Sequence, residues 1–323
     1  MNIKELIKIC SQYPEVKVQE DKGILNLYLK SKTGYSELQF VSISDAILLS
    51  YININLPSWE GWILDTEKDI LLFNYCVDGR CEIELKNGDF TFLSGGDVSL
   101  SMVSAKDNFK FPGSRYNGIE LFVDLNPLEN GAVELFGKEI INIKDIFLRY
   151  CQNKDLYVAC VNERVEFILQ QLWKLKGASN PRISLKVLEV LLEMKESPLD
   201  SYNPPRMYYS KIHVEIAKKA EEIIMKDLSN HYPAKYFADY FGISESTFKN
   251  YFKGVFGKSY SIYQKCKRME MAAELLESTK SKLSEIAGKV GYENHSKFSS
   301  AFKAYYKISP SDYRRKKHLE KIE

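Results

Sequence analysis

An α+β chain of two unlike halves is what the sequence predicts: a small N-terminal β-barrel or jelly roll with a helical segment, followed by an all-α domain holding two helix-turn-helix motifs. Three observations predict it. Short apolar–polar alternations punctuated by glycine turns fill residues 1–125. Apolar stripes at helical spacing take over from about residue 126. One short module then occurs twice between Pro233 and Lys303. At 323 residues the chain is long enough for two domains, each able to bury a core.

The β half comes first. Gly23 to Lys30, Tyr35 to Val41 and parts of Asp45 to Leu56 alternate, and Asp69 to Cys76 and Cys81 to Leu85 are rich in strand formers. Asp78-Gly79, Asn87-Gly88 and Gly95-Gly96 read as turns, with Asn87-Gly88 closing a hairpin. Phe90 to Phe92, Val98 to Met102 and Tyr116 to Leu125 continue the pattern. Cys76 and Cys81 flank the Asp78-Gly79 turn. They read either as a redox pair or, the favoured reading, as two small half-buried residues. Six cysteines without a disulfide framework, no apolar run of membrane length and no signal-type core in Met1 to Tyr13 place the chain in the cytoplasm with reduced thiols.

Residues 126–196 form the helical segment. Glu134 to Phe136 reads as a loop insertion, and helices are expected over Ile140 to Tyr150, Val161 to Lys176 and Ser184 to Lys195. The last is apolar beyond one face, so it either pairs with a second copy or packs on the barrel. Residues 197–206, with three prolines, form the linker.

The helical domain, 207–323, carries 22 Lys and Arg against 14 Asp and Glu, a net charge of +8, whereas residues 1–206 carry −6. A basic module beside a mildly acidic one fits a nucleic-acid binder with an attached control domain. After a first helix, His213 to Leu228, Pro233 opens Ala234 to Phe241 and Gly242 ends it. Ser244 caps Glu245 to Phe256, which buries Phe248, Phe252, Val255 and Phe256. Ser261 to Leu276 connects to the second copy. There, Ser281 or Ser284 caps Leu283 to Val290, and Asn294 caps His295 to Tyr306, with Phe298, Ala301, Phe302 and Tyr305 inward.

At these residues the chain resembles the AraC/XylS family of transcriptional regulators. The resemblance spans about Tyr208 to Arg315. It rests on Ile243-Ser244, Phe252-Lys253, Gly257 to Ser259, Arg268, Ala272-Ala273, Leu275-Leu276, Ile286-Ala287, Val290 to Tyr292, Phe298, Phe302-Lys303 and Ser309 to Arg314. Tyr260 replaces the usual Pro, Lys307 the usual Gly, and Ser300-Ala301 a larger pair. The resemblance implies a sequence-specific activator that binds double-stranded DNA and RNA polymerase, works as a homodimer and needs no cofactor. Base contacts are expected from Ser246, Lys249 and Asn250 in the first motif and His295, Ser296, Ser299 and Ser300 in the second. Phosphate contacts are expected from Lys253 and Lys303. The small serines predict weaker base reading by the second motif.

The β half resembles, more faintly, the cupin-like sensory domain of such regulators, through Gly79 to Glu84, Asn87-Gly88, Gly95 to Asp97 and Pro112-Gly113. All four histidines lie after residue 206, so the barrel has no imidazole for a metal, which argues against a cupin-type enzyme fused to a DNA-binding module. Two readings stand: a pocket for a small organic ligand or metal chelate, or a filled barrel governed by a protein partner. Pocket candidates are Phe73, Tyr75, Phe90, Phe92, Tyr116 and Phe122, with Trp59 and Trp62 at a mouth. The barrel pattern and Phe252 to Gly257 look most like the siderophore-responsive branch.

Overall fold

The computed structural model describes residues 3–31, 34–60, 69–103, 108–126, 132–135, 139–151, 156–177, 181–196 and 208–319. The side chains of Ser31, Trp59, Glu60, Asn108, His318 and residues 132–135 and 139–140 are not described. Trp62 and the expected linker 197–206 lie outside the described residues. The chain divides into two compact units, Met1–Tyr208 and Tyr209–Glu323.

The first unit opens with helix α1 (Ile3–Cys10). Ten strands follow: β1 (Val16–Asp21), β2 (Ile24–Ser31), β3 (Gly34–Ser42), β4 (Ile47–Asn55), β5 (Ser58–Glu60), β6 (Ile70–Glu84), β7 (Phe90–Ser94), β8 (Asp97–Met102), β9 (Asn108–Lys110) and β10 (Tyr116–Asp124). A hairpin of β11 (Ala132–Leu135) and β12 (Glu139–Asn142) leads to α2 (Ile143–Cys151). Strand β13 (Leu156–Cys160), α3 (Glu163–Lys174) and α4 (Pro181–Glu196) complete it.

The sheet is antiparallel and runs β1-β2-β3-β4-β10-β6-β8-β13, with β7 and β9 on β6 and β5 on β9. Among the described residues β1 pairs only with β2 and β13 only with β8, so the expected barrel is not closed. The sheet ends at the edge strands β1 and β13, and β6 departs from expectation as well. Two strands separated by a turn at Asp78-Gly79 were expected, but one strand of 15 residues runs through. Its first half pairs with β10 and β8, its second with β7 and β9. Gly79, at φ 94°, bends this strand without reversing it. A Cβ there would stand 2.2 Å from the Arg115 carbonyl oxygen, so only glycine fits.

Side chains alternate between the two faces of the sheet. Leu49, Tyr51, Leu71, Phe73, Tyr75, Leu100, Ile119 and Leu121 pack under α2, α3 and α4. Leu38, Phe40, Leu48, Ile52, Leu72, Cys76, Tyr116 and Phe122 line the opposite, interior face, which α1 closes with Leu6 and Cys10. At roughly 1.5–3 kcal/mol per buried large apolar side chain, both layers contribute to the fold. Polar clamps hold the helices: Tyr51 Oη donates to the Leu172 carbonyl at 2.9 Å, Tyr150 Oη to Met194 at 2.9 Å, and Gln170 Nε2 to Tyr75 Oη at 2.9 Å.

Four expectations are revised or resolved here. The segment Glu134 to Phe136 is not a plain loop, since Glu134 and Leu135 lie in β11, and the helix expected from Ile140 starts at Ile143. Helix α4 spends Ile183, Val187, Val190, Leu191 and Met194 on its own unit. Cys76 and Cys81 share one strand, both buried, and burial pushes both thiols up, away from the reactive thiolate.

The second unit is all helix: α5 (Lys211–Lys226), α6 (Ala234–Phe241), α7 (Glu245–Phe256), α8 (Tyr260–Ser278), α9 (Leu283–Lys289), α10 (His295–Tyr306) and α11 (Pro310–Leu319). Pro233 is the N-cap of α6, one position before the one expected. Neither Ser281 nor Ser284 caps α9: Lys282 holds that position, and Glu285 Oε2 accepts from its backbone N–H at 3.1 Å. Tyr305, expected inward, is 38% exposed, and Tyr306 is the half-buried one. Tyr260, in place of Pro, fills the core against Phe237, Phe248 and Phe252.

Lys307 ends α10 in the left-handed conformation, φ 64° and ψ 2°. That conformation costs a side-chain-bearing residue roughly 1–2 kcal/mol, part of which glycine returns as backbone entropy. Lys307→Gly should therefore stabilise this unit by about 1 kcal/mol in a urea melt. A lower midpoint would show that the Lys307 side chain, which donates to the Ala304 carbonyl at 3.0 Å, outweighs the strain.

Candidate nucleic-acid interface

Helices α7 and α10 are built alike. Each has 12 residues, and they correspond at a constant offset of 50. Phe248 and Phe298, Phe252 and Phe302, Lys253 and Lys303 occupy matching places, as do the left-handed caps Gly257 and Lys307. Ser244 Oγ accepts from Thr247 N at 3.1 Å; Asn294 Oδ1 accepts from Ser296 N at 2.7 Å and Lys297 N at 3.4 Å. Gly242, at φ 67° and ψ 34°, makes the turn between α6 and α7. The phenylalanines at i and i+4 anchor each helix, leaving the opposite face to water.

Rings fill the first motif. Phe237 stacks on Phe248 at 4.9 Å, and Phe252 meets Tyr263 edge-on at 5.3 Å. In the second motif Phe298, Phe302, Tyr306 and Tyr313 form the corresponding group. Helix α8 serves both. Tyr263 Oη donates to Glu221 of α5 at 2.8 Å, and burial, then the Glu221 charge, push that phenol up. Arg268 donates to the carbonyls of Leu228 at 2.9 Å, Asn230 at 2.9 Å and Gly291 at 3.5 Å. At Gly291, φ 77°, a Cβ would lie 2.6 Å from the Ser229 carbonyl oxygen and 2.9 Å from the Arg268 guanidinium carbon. Gly254 is equally tight: a Cβ there would overlap the Tyr209 ring at 2.3 Å.

The residues expected to meet DNA lie on the outer faces. Ser246, Lys249, Asn250 and Lys253 are exposed on α7, as are His295, Ser296, Ser300 and Lys303 on α10, while Ser299 is half-buried. Ser246 Oγ lies 2.8 Å from Ser244 Oγ. Lys249 Nζ pairs with Glu245 at 2.9 Å, an exposed contact worth about 0–1 kcal/mol and easily exchanged for another anion. Ser299 Oγ lies 3.5 Å from His295 Nε2. Lys297, exposed in the first turn of α10, was missed by the sequence reading. Its counterpart Thr247 is half-buried and within 2.8 Å of the Ser244 hydroxyl, so the offset of 50 marks Lys297 as the more outward residue.

The aromatic pocket candidates are not brought together. Phe73 and Tyr75 face the helices, whereas Tyr116 and Phe122 face the interior. Phe90 and Phe92, also buried, belong to β7 on the far half of β6, with the Arg80 guanidinium 4.8 Å from the Phe92 ring centre. Trp59 contributes its backbone to β5; its side chain, like Trp62, lies outside what is described. Among the described residues no cluster of His, Cys, Asp or Glu forms a metal site, and no helix is long and apolar enough to cross a membrane.

Two capped helices joined by α8, each presenting polar side chains on a basic unit, define a double helix-turn-helix domain for DNA. Residues 237–316 match the family model described as "Helix-turn-helix domain". The lactose operon transcription activator of Staphylococcus xylosus is 25% identical over 261 residues, covering 75% of this chain and 86% of that protein. The Tn10 TetD protein of Escherichia coli is 35% identical over 79 residues, 24% of this chain and 57% of its own length. Among solved structures, the C-terminal domain of AraT, a response regulator from Geobacillus stearothermophilus, is 35% identical over 31% of this chain and 84% of that domain, with a TM-score of 0.30. Residues 237–316 therefore form an AraC-type helix-turn-helix DNA-binding domain, and the chain is similar to transcriptional regulators.

Replacing Arg268 with Met should lower the stability of this unit by about 2–3 kcal/mol, since a charged donor leaves three carbonyls. Arg268→Lys should recover only part of it, because an ammonium lacks the planar fork. Equal melting of Arg268→Met and the parent in urea would overturn the assignment.

Proposed function

We propose that the chain activates transcription by placing α7 and α10 in successive major grooves on one side of a duplex. The supporting observation is the pairing of two matched 12-residue helices around the 19-residue α8, a rod of about 28 Å. Successive grooves on one face recur at about 34 Å, so a spacer of this length suits both helices at once. Ser246, Lys249 and Asn250 read base edges on one half-site. His295, Ser296, Ser299 and Ser300 read the other, with single hydrogen bonds that discriminate less. Lys253, Lys303 and the exposed Lys297 meet phosphate.

The N-terminal unit acts as the control element, and a small molecule bound there biases DNA binding through different affinities for two states. The likeness to a lactose operon activator favours activation, and with it contact to RNA polymerase. Phe167 and Leu185, 64% and 55% exposed on α3 and α4, offer a face for a second copy.

Selection from a random duplex pool with the purified chain, followed by competition against scrambled DNA, tests the central reading. A defined two-part site bound at least about a thousandfold over scrambled duplex is expected. Equal affinity for both would refute it. On that site, Asn250→Ala should relax preference at one position at a cost of about 1–3 kcal/mol. Lys253→Ala should weaken all sequences alike and make binding less sensitive to salt. Indistinguishable profiles for the two variants would overturn the division into base and phosphate contacts.

A further inference from the structure

The interior face of the β unit holds a band of polar groups that the DNA-binding reading does not use. Ser50 of β4 stands opposite Glu120 of β10, Glu120 opposite Asn74 of β6, and Asn74 opposite Ser99 of β8. Each alternates with interior residues: Ser50 with Leu48 and Ile52, Asn74 with Leu72 and Cys76, and Glu120 two places before Phe122. Four polar side chains on four adjacent strands therefore cross an otherwise apolar wall in one row. Such a row has no role in filling a core, where burial of polar groups costs free energy.

The row is built and only partly satisfied. Tyr116 Oη donates to Asn74 Oδ1 at 2.5 Å. The Tyr116 ring lies over Gly118, where a Cβ would come within 3.0 Å of ring atoms, so glycine is what lets the ring lie there. Ser50 is 0% exposed, and its hydroxyl has no hydrogen-bond partner; on β3 the hydroxyl of Ser36, 1% exposed, is in the same state. Glu120 is half-buried between buried neighbours.

The charge balance of this interior is one-sided. Cys81 and Tyr116 feel the Glu120 charge, and burial pushes both acids up; the half-buried Arg80 guanidinium acts on Cys76, further along β6. Burial alone lifts the Glu120 carboxyl to about 8. Among the described residues no Lys, Arg or His is buried. Once it gives up its proton, the Glu120 carboxyl can pair with an ammonium group that also donates to Ser50 and Asn74, an ion pair that a neutral polyol or an anion cannot form.

We infer that this band is the binding site for a small organic amine, whose ammonium group pairs with Glu120 and donates to Ser50 and Asn74 while Leu72 and Phe122 cover its carbon skeleton. The inference rests on the reading of the N-terminal unit as a ligand-responsive element and supplies the chemistry of its ligand. Near neutral pH, binding displaces the Glu120 proton, so affinity rises with pH up to about 8. The empty protein shows the converse. The folded carboxyl holds its proton above the unfolded value of 4.5, so stability falls as pH climbs from there to about 8, then levels off. Glu120→Gln, neutral throughout, removes that slope.

The test is melting and calorimetry of the full chain with agmatine and 2-phenylethylamine. The comparison set is 2-phenylethanol, glucose, lactose and a ferric desferrioxamine chelate. An amine should raise the melting temperature saturably and release a proton on binding, with 2-phenylethanol inert. Glu120→Gln should weaken the amine by roughly tenfold or more. Ser50→Ala, which removes an orphan hydroxyl, should melt no lower than the parent yet bind the amine less tightly, and it keeps the test open if Glu120→Gln misfolds. Stabilisation by a sugar or the chelate but by neither amine would overturn the amine assignment and leave a ligand-responsive unit standing. No response to any probe, or an amine response undiminished in both variants, would overturn the site itself.

Discussion

Three backbone carbonyls converge on one guanidinium, and the DNA-binding unit depends on that convergence. Leu228 and Asn230 follow α5, whereas Gly291 belongs to the turn between α9 and α10, so Arg268 ties the two helix-turn-helix motifs to the helix between them. Carbonyls withdrawn from water need donors, and a planar fork with five N–H groups can serve several at fixed angles. The contact also fixes what its neighbours are. Gly291 has no room for a Cβ between the Ser229 carbonyl and the guanidinium, and Gln264 adds a bond to the Asn230 carbonyl at 3.3 Å. Arg268 thus bridges the two motifs at one point on α8.

Around that axis the two motifs share a backbone and differ in chemistry. Both are capped at the same places and anchored by phenylalanines one turn apart. On α7 the acid Glu245 partly offsets Lys249, and Asn250 presents an amide able to make two hydrogen bonds to one base. The first turn of α10 carries no acid; it has His295, Lys297 and hydroxyls instead. The first face suits discrimination and the second suits backbone attraction, although sterically they are near copies.

Much of this was legible in the sequence because helices declare themselves locally. Pro233, Gly242, Ser244 and Asn294 mark ends through the conformations and caps their own side chains permit, and α6, α7 and α10 fall where those signals put them. Lys282 at the N-cap of α9 was not foreseen, because serines on either side carry the stronger local capping signal. The sheet was harder. Asp78-Gly79 has the composition of a turn, yet whether such a glycine reverses a strand or bends it depends on what crosses beside it, here Arg115 and Tyr116. Alternation showed that side chains divide between two faces but not which face the helices cover. Phe73 and Tyr75 therefore looked like companions of Tyr116 and Phe122 when the sheet lies between them. The Ser50–Glu120–Asn74–Ser99 row was invisible for the same reason: it exists only through register across strands distant in sequence.

Among the described residues, buried polar groups left unpaired fall mostly in the β unit, with the Tyr260 hydroxyl the exception in the helical unit. In the helical unit rings pack edge to face from Phe237 through Tyr263, and Tyr313 and Arg314 close the end through Glu277 at 2.7 Å and the Ser281 carbonyl at 2.8 Å. Cores filled in this way hold one arrangement, because close-packed side chains change state only together. The β unit instead keeps two buried hydroxyls unpaired and a carboxyl group lifted to about 8, each at a cost that an apolar side chain would avoid. A molecule that pairs such groups in one state and not in another shifts the balance between the two states.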